Sequence, residues 1–328
     1  MKATIVAVLV FAGVFFSARR VGAKDSFAEV AAGGIKFLKH TDIVLQKEVL
    51  TIRENKVEVA YWFFNPTKED ITVTVAFPLL AHSFNPDYMA PSPTYDFSVA
   101  ANGRPQRFET ITEAQLKGQD VTAELQRAGL PLTDFRGWVG PDKDNPFLHL
   151  SPKVRKQLVA RGLIDEDQAF PLWTASVTCV WEQLFRAGQT TEVRPTYTPQ
   201  TGKHFFGLES AYDGWSTAHF PAGCTPSIES LTKAVRPENQ DGMIFQTWVA
   251  YTFTAANNWK TPIGELTLVV FKKKDETIVL CSDLPAPKVS ADTVEVSVKD
   301  YVPTSRDLTV YFLKVRGPEE CSQVASSE

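Results

Sequence analysis

The chain has 328 residues, 44% hydrophobic and 11% aromatic, which is enough apolar material to bury one large core or two ordinary ones. Its 34 basic residues are outnumbered by 38 acidic ones, and the basic runs are short; Lys272-Lys273-Lys274 reads as the solvated end of a strand. Nucleic acid is therefore not an expected partner, because binding phosphates needs a concentrated basic face.

Lys2, the apolar run Ala3 to Ala18 and the small residues Val21-Gly22-Ala23 read together as a secretory signal peptide over residues 1–23, so the exported chain should begin at Lys24. Cleavage removes three of the 34 basic residues and none of the 38 acidic ones, moving the net charge from −4 to −7. The alternative is an uncleaved anchor: Arg19 and Arg20 sit awkwardly before the cut, but the run is shorter than the ~20 residues a spanning helix needs. No second long apolar stretch follows, so no membrane span is expected after cleavage. The implied address is periplasmic or extracellular.

Residues 24–111 form the first β region. Val57, Val59, Tyr61 and Phe63 alternate with Glu58, Ala60, Trp62 and Phe64. A break at Asn65 to Asp70 precedes Ile71, Val73, Val75 and Phe77, and the pair reads as a hairpin. Tyr95, Phe97 and Val99 lead into Asn102-Gly103, a dipeptide suited to a type I′ turn. After Ile111 the period changes, and residues 112–168 read as a helical insertion. Asp120 can cap a helix over Val121 to Ala128 with Gly129 just past its end, and Ser151-Pro152 opens a second helix closed by Gly162. Residues 169–316 return to β, with strands expected over Leu172–Phe185, Thr191–Tyr197, Met243–Thr254, Glu265–Phe271, Thr277–Cys281, Thr293–Lys299 and Leu308–Val315. Thr225-Pro226 looks like the start of a brief helix toward Val235. Residues 317–328 are a polar tail expected to be disordered. The fold class is mainly β, antiparallel β-sandwich regions with a small helical insertion, since parallel sheets need crossover helices.

Of the four cysteines, Cys179, Cys224, Cys281 and Cys321, none forms a C-x-x-C pair, so a zinc or redox motif is not supported. An oxidising compartment predicts at least one disulfide, and three pairings are open if all four cysteines are engaged. Cys224 with Cys281 is the preferred pair. These two flank the most strand-rich stretch, in a polar loop and at a strand end, whereas Cys179 lies inside a β run and Cys321 in the tail.

Asp25-Ser26 with Gly33-Gly34, Val75-Ala76-Phe77-Pro78, Gly118-Gln119-Asp120-Val121-Thr122 and Gly129-Leu130-Pro131-Leu132 follow one another along the chain. Trp181-Glu182-Gln183, Ala187-Gly188 and Asn257-Asn258-Trp259-Lys260-Thr261-Pro262-Ile263-Gly264 complete the series. In this order they resemble the domain of unknown function 4424 family of secreted bacterial proteins, over about Lys24 to Val315. The resemblance implies an exported β-rich protein and no activity, cofactor or catalytic residue. It departs at Arg194-Pro195, where similar sequences commonly carry a His, so a metal role for that His does not transfer here. A shorter stretch ending Phe77-Pro78-Leu79 is similar to the vault and inter-alpha-trypsin type of β-module, which implies an extracellular scaffold.

The five histidines, His40, His82, His149, His204 and His219, show no metal-ligand spacing, and no nucleophile elbow, phosphate loop or dinucleotide fingerprint occurs, so no cofactor or metal is expected. The richest polar cluster is His204, Glu209, Asp213 and His219, where a carboxylate pair and a histidine could do general acid and base work. Surface loops collect such residues without catalysing anything. Trp62, Trp173, Trp181 and Trp248 lie in strand patterns and read as core, while Trp138 and Trp259 sit in loops. Asn258, Trp259 and Lys260 offer an amide, a ring and a cation for binding, or else a turn plugging a sheet end. Two functions follow: a non-enzymatic binding or scaffold module for an envelope or extracellular component, or a hydrolase of cell-wall or extracellular polymer using Glu209, Asp213 and His219. Convergence of those three side chains in one pocket separates them.

Overall fold

The computed structural model describes residues 36–37, 42–79, 81–83, 96–133, 149–166, 170–207, 220, 224, 243–253, 261–303 and 307–316. In chain order the strands are β1 (Lys36–Phe37), β2 (Val44–Arg53), β3 (Lys56–Phe64), β4 (Ile71–Pro78), β5 (His82–Ser83), β6 (Ser98–Ala101), β7 (Arg104–Pro105), β8 (Glu109–Leu116) and β9 (Gln119–Asp120). After helices α1 (Thr122–Arg127) and α2 (Pro152–Arg161) come β10 (Thr174–Phe185), β11 (Thr190–Tyr197), β12 (Thr201–Gly207), β13 (Met243–Tyr251), β14 (Ile263–Phe271), β15 (Glu276–Cys281), β16 (Lys288–Val289), β17 (Thr293–Tyr301) and β18 (Leu308–Arg316).

These strands build three sheets. One has the order β1-β4-β10-β8-β9, with β5 also on β10; a second, curled into half a barrel, runs β16-β17-β14-β2-β3-β11-β6-β7; the third is β12-β13-β18-β15. The protein is mainly β, as alternation predicts. Among the described residues every strand pair is antiparallel except β14 with β2. That parallel pair joins strands far apart in the chain, β2 ending at Arg53 and β14 beginning at Ile263, so it is not a local crossover unit.

The expected hairpin of Val57–Phe63 with Ile71–Phe77 does not form. β3 pairs with β2 and β11, whereas β4 pairs with β1 and β10, so the chain changes sheet between them. It changes sheet again at residues 186–189, between β10 and β11, and the two corners lie side by side. Asn65 joins them. Its backbone N–H donates to the Gln189 carbonyl at 3.1 Å, and its carbonyl accepts from the Gly188 N–H at 2.9 Å. Its fully buried side chain donates to the Glu69 and Phe185 carbonyls at 2.8 and 2.9 Å, while Oδ1 accepts from Thr67 N–H and Oγ1 at 3.0 and 2.7 Å. A buried amide with all its capacity used is a structural clasp.

The main core collects side chains from all three sheets, including Leu50, Tyr61, Phe63, Phe77, Trp181, Tyr251 and Phe312. The stretches read as separate first and second β regions therefore share sheets and one core. A smaller cluster, with Leu116, Leu125, Leu158 and Trp173, lies where α1 and α2 cover the β8–β10 end of the first sheet. The change of period comes later than Ile111, since residues 112–116 belong to β8 and pair with β10. α1 is shorter than expected. Val121 holds its N-cap position without a side-chain bond, and Asp120 instead accepts from the Thr122 N–H at 2.9 Å. α2 has the expected ends: Ser151 Oγ accepts from Val154 N–H, Pro152 opens the first turn, and Gly162 closes it with φ 73°. Asn102 and Gly103 both have positive φ, 48° and 74°, as a type I′ turn requires.

Candidate functional site

Glu209, Asp213, His219, Asn258, Trp259 and Lys260 lie outside the described residues, as do Trp138, Trp215, Cys321, the leader, the Thr225 helix and the tail. His204 is described, on β12, a strand that alternation did not reveal. It pairs with Gln246 of β13, and its ring lies 6.3 and 6.2 Å from those of Phe205 and Phe206. Cys224 and Cys281 are joined in a disulfide, which ties residue 224 to the end of β15 beside Phe220, Ile244 and Tyr311. Cys179 is a free, buried thiol pushed up to about 12 by desolvation. Among the described residues no group of three or more His, Cys, Asp or Glu side chains is placed to hold a metal ion.

Much of the motif series is spent on backbone geometry. Gly118 and Gly129 adopt φ 78° and 72°, a tight turn and a helix end. Trp181 is buried in the main core, and the Ala187 N–H donates to Asp70 at 2.9 Å. Thr122 Oγ1 accepts from the Ala114 N–H at 2.8 Å, tying α1 to β8.

The polar chemistry that the described chain does assemble lies inside the half-barrel, and a bulge in β2 makes it. Leu45 pairs with Phe63 and Lys47 with Trp62, leaving Gln46 as the extra residue. The insertion turns Lys47 outward, where it pairs with Glu265 at 2.8 Å, and turns Glu48 inward in line with Leu50 and Ile52. Gly264 makes room for the bulge, since a Cβ there would sit 2.6 Å from the Gln46 carbonyl oxygen. Opposite Glu48 on β3 stands Tyr61. From the third sheet Tyr251 donates to Glu48 Oε1 at 2.9 Å, and its hydroxyl shares a 2.7 Å hydrogen bond with that of Tyr61.

Glu48 is 3% exposed. Desolvation raises its carboxyl from the ordinary 4.5 to about 7, with the Tyr251 hydrogen bond pulling the other way. No Lys, Arg or His pairs with it among the described residues. Burial also pushes Tyr251 well above its usual range, with the Glu48 carboxylate adding to the shift, and raises Tyr301 to about 12. Among the described residues the buried hydroxyls of Tyr197 and Tyr301 have no hydrogen-bond partner, so this layer of the core carries more polar atoms than described bonds. Sequence analysis missed the cluster. Glu48 does share the parity of Leu50 and Ile52, which is the signal that could have placed it inside.

Trp62 is half-buried on the outer face of the half-barrel and is not core. Lys47 Nζ and the Arg194 guanidinium each lie 5.8 Å from its ring centre, and Arg194 pairs with Glu192 at 2.6 Å. Beside it, Pro195 supplies no N–H, and the β11–β3 ladder skips from Val193 to Thr196.

Three linked β-sheets, two short helices and an enclosed acid–tyrosine cluster define a mainly β protein whose described polar residues chiefly secure the backbone. The chain belongs to the DUF4424 family, a domain of unknown function, which matches residues 23–311. No curated protein matches it. Among solved structures it is similar to a Legionella pneumophila protein described as nutrient-binding, with 12% identity and a TM-score of 0.42 over 86% of this chain and 70% of that one. It also resembles the Deinococcus radiodurans M1 zinc metallopeptidase, with 11% identity and a TM-score of 0.25 over 82% of this chain and 42% of that one. For yeast LTA4 hydrolase the values are 7% and 0.30, over 83% and 29%. The chain thus spans less than half the length of either of these two enzymes.

Proposed function

We propose that this protein is an exported, non-enzymatic binding or scaffold module that contacts a component of the cell envelope or the extracellular space through Asn258, Trp259 and Lys260. The observation that carries the reading is the Cys224–Cys281 disulfide, because such bonds persist in oxidising compartments. The leader read over residues 1–23 supplies the route, and the family match begins where that leader ends. Asn65, Asp70, Asp120 and Asp307 accept from or donate to backbone groups, which supports a scaffold role for the polar residues that are described. No helix among the described residues is long and apolar enough to cross a membrane.

The test is cross-linking and co-purification from the native envelope. The wild-type chain should capture a defined partner, Trp259→Ala and Lys260→Ala should weaken capture, and Glu209→Ala, Asp213→Ala and His219→Ala should leave it intact. Polymer hydrolysis that disappears in the last three variants would move the assignment to a hydrolase. N-terminal sequencing of exported material should begin at Lys24, and recovery of Met1 would overturn the leader.

A further inference from the structure

Glu48 belongs to the half-barrel and Tyr251 to the sheet β12-β13-β18-β15, so their hydrogen bond crosses the seam between two sheets. The Tyr61 hydroxyl meets that of Tyr251 at 2.7 Å, giving a short buried chain of polar atoms across the seam. We propose that Glu48, Tyr61 and Tyr251 form a proton-operated latch, tight while Glu48 keeps its proton and loosened when it is lost.

The physical case is an imbalance of charge. The groups that bear on Glu48 are Tyr61 on β3 and Tyr251 on β13, and Tyr301 on β17 feels its charge; Tyr197 on β11 acts on Tyr251. Asp283 and Asp307 lie near enough to Tyr301 to raise it further. All of these are neutral or acidic. The nearest cation along β2, Lys47, faces the other way toward Glu265. An ionised Glu48 would thus be a buried negative charge held by a hydroxyl, with no cation among the described residues to offset it. Opening the seam lets water reach it. Below neutrality the protonated carboxyl carries no such cost, and the Tyr251 hydroxyl still donates to it. Burial raises the Glu48 carboxyl to about 7, which sets the latch near neutral pH.

Amide hydrogen exchange of the full exported chain at pH 5 and pH 8, corrected for intrinsic rates, tests this. In the wild type, β13 amides should lose protection by up to about 70-fold over that interval, the factor expected when a carboxyl of folded value about 7 regains its ordinary 4.5 on opening. Amides of β8, whose local openings leave Glu48 buried, should hold theirs. Glu48→Gln should abolish the β13 response, and Tyr251→Phe, which removes the donor, should move its midpoint upward. The proposal fails if wild-type β13 protection is flat with pH, if Glu48→Gln keeps the response, or if β8 follows β13 in step. Should Glu48→Gln not fold, carbon-13 titration of the Glu48 carboxyl in the wild type decides: a midpoint near 7 supports the latch and one near 4.5 ends it.

Discussion

The Trp248 indole covers Gly202, its cross-strand partner, so closely that a Cβ at 202 would come 1.9 Å from Cζ2. A glycine inside a strand ordinarily weakens it, and here the ring covers the bared backbone. Gly202→Ala should therefore destabilise the protein by about 1–3 kcal/mol, through displacement of the ring rather than backbone strain. In a Trp248→Ala background the same change should cost little. Denaturant melts of the four proteins in this cycle measure the coupling, and additive costs would show that the ring is not the obstacle.

Gly264 faces a harder neighbour, because the atom that a Cβ would strike is the Gln46 carbonyl oxygen at 2.6 Å. Backbone cannot swing aside as a ring can. Gly264→Ala should cost more than Gly202→Ala and should disturb the bulge that turns Glu48 inward. A Glu48 carboxyl resonance that titrates nearer its ordinary 4.5 in this variant would mark the loss of burial. An unshifted titration would mean that the bulge survives the clash.

Asn65 offers a test of the double corner. Asn65→Ala would leave the buried Phe185 carbonyl without its amide donor and release the Thr67 turn, at a cost of about 2–4 kcal/mol from unsatisfied groups. Asn65→Asp should be no rescue, since a carboxylate cannot donate to the Glu69 and Phe185 carbonyls. Equal stability of wild type and Asn65→Asp would refute the assigned hydrogen bonds.

Cys224→Ser should lower stability by roughly 4 kcal/mol, the chain-entropy value for the 57 residues that separate the bridged cysteines. The loss should fall on the cluster with Phe220, Ile244 and Tyr311, because the bridge fastens that face of the third sheet. Reduction of the wild type with a mild thiol should reproduce the effect. A reduced protein that melts where the oxidised one does would contradict it.

Local features were legible in the sequence wherever one strand or cap determines them. Alternation located most long strands, Ser151-Pro152 and Gly162 bounded α2, and Asn102-Gly103 marked its turn. What stayed hidden depends on distant partners. The β3–β4 hairpin looked sound because a short polar break suits either a hairpin or a corner, and only the pairing of β4 with β10 decides between them. Glu48 and Tyr251 are separated by 203 residues in the chain, and the bulge that aims Glu48 inward rests on Gly264 from a third strand. A charged residue in an alternating strand reads as solvated unless its parity is followed through to Leu50 and Ile52.

The remaining prediction concerns global stability against pH. Glu48 has a folded value raised to about 7 from 4.5, so between those values the native protein keeps a proton that the unfolded chain has released. Its contribution is most favourable below pH 4.5, declines by about 1.4 kcal/mol per pH unit through the window, and levels off above 7. Glu58, Glu265 and Asp275 act in the opposite sense: hydrogen bonds and charge from Lys56, Lys47 and Lys314 respectively hold each below its ordinary value, so their stabilisation is lost in acid. The wild-type curve mixes both trends, and the difference between wild type and Glu48→Gln isolates the first. From pH 5 to pH 8 the wild type should lose about 2.5 kcal/mol relative to the Gln variant. Urea melts at several pH values measure this directly, and a difference that stays constant across the interval would show that Glu48 is already ionised in the folded protein at pH 5.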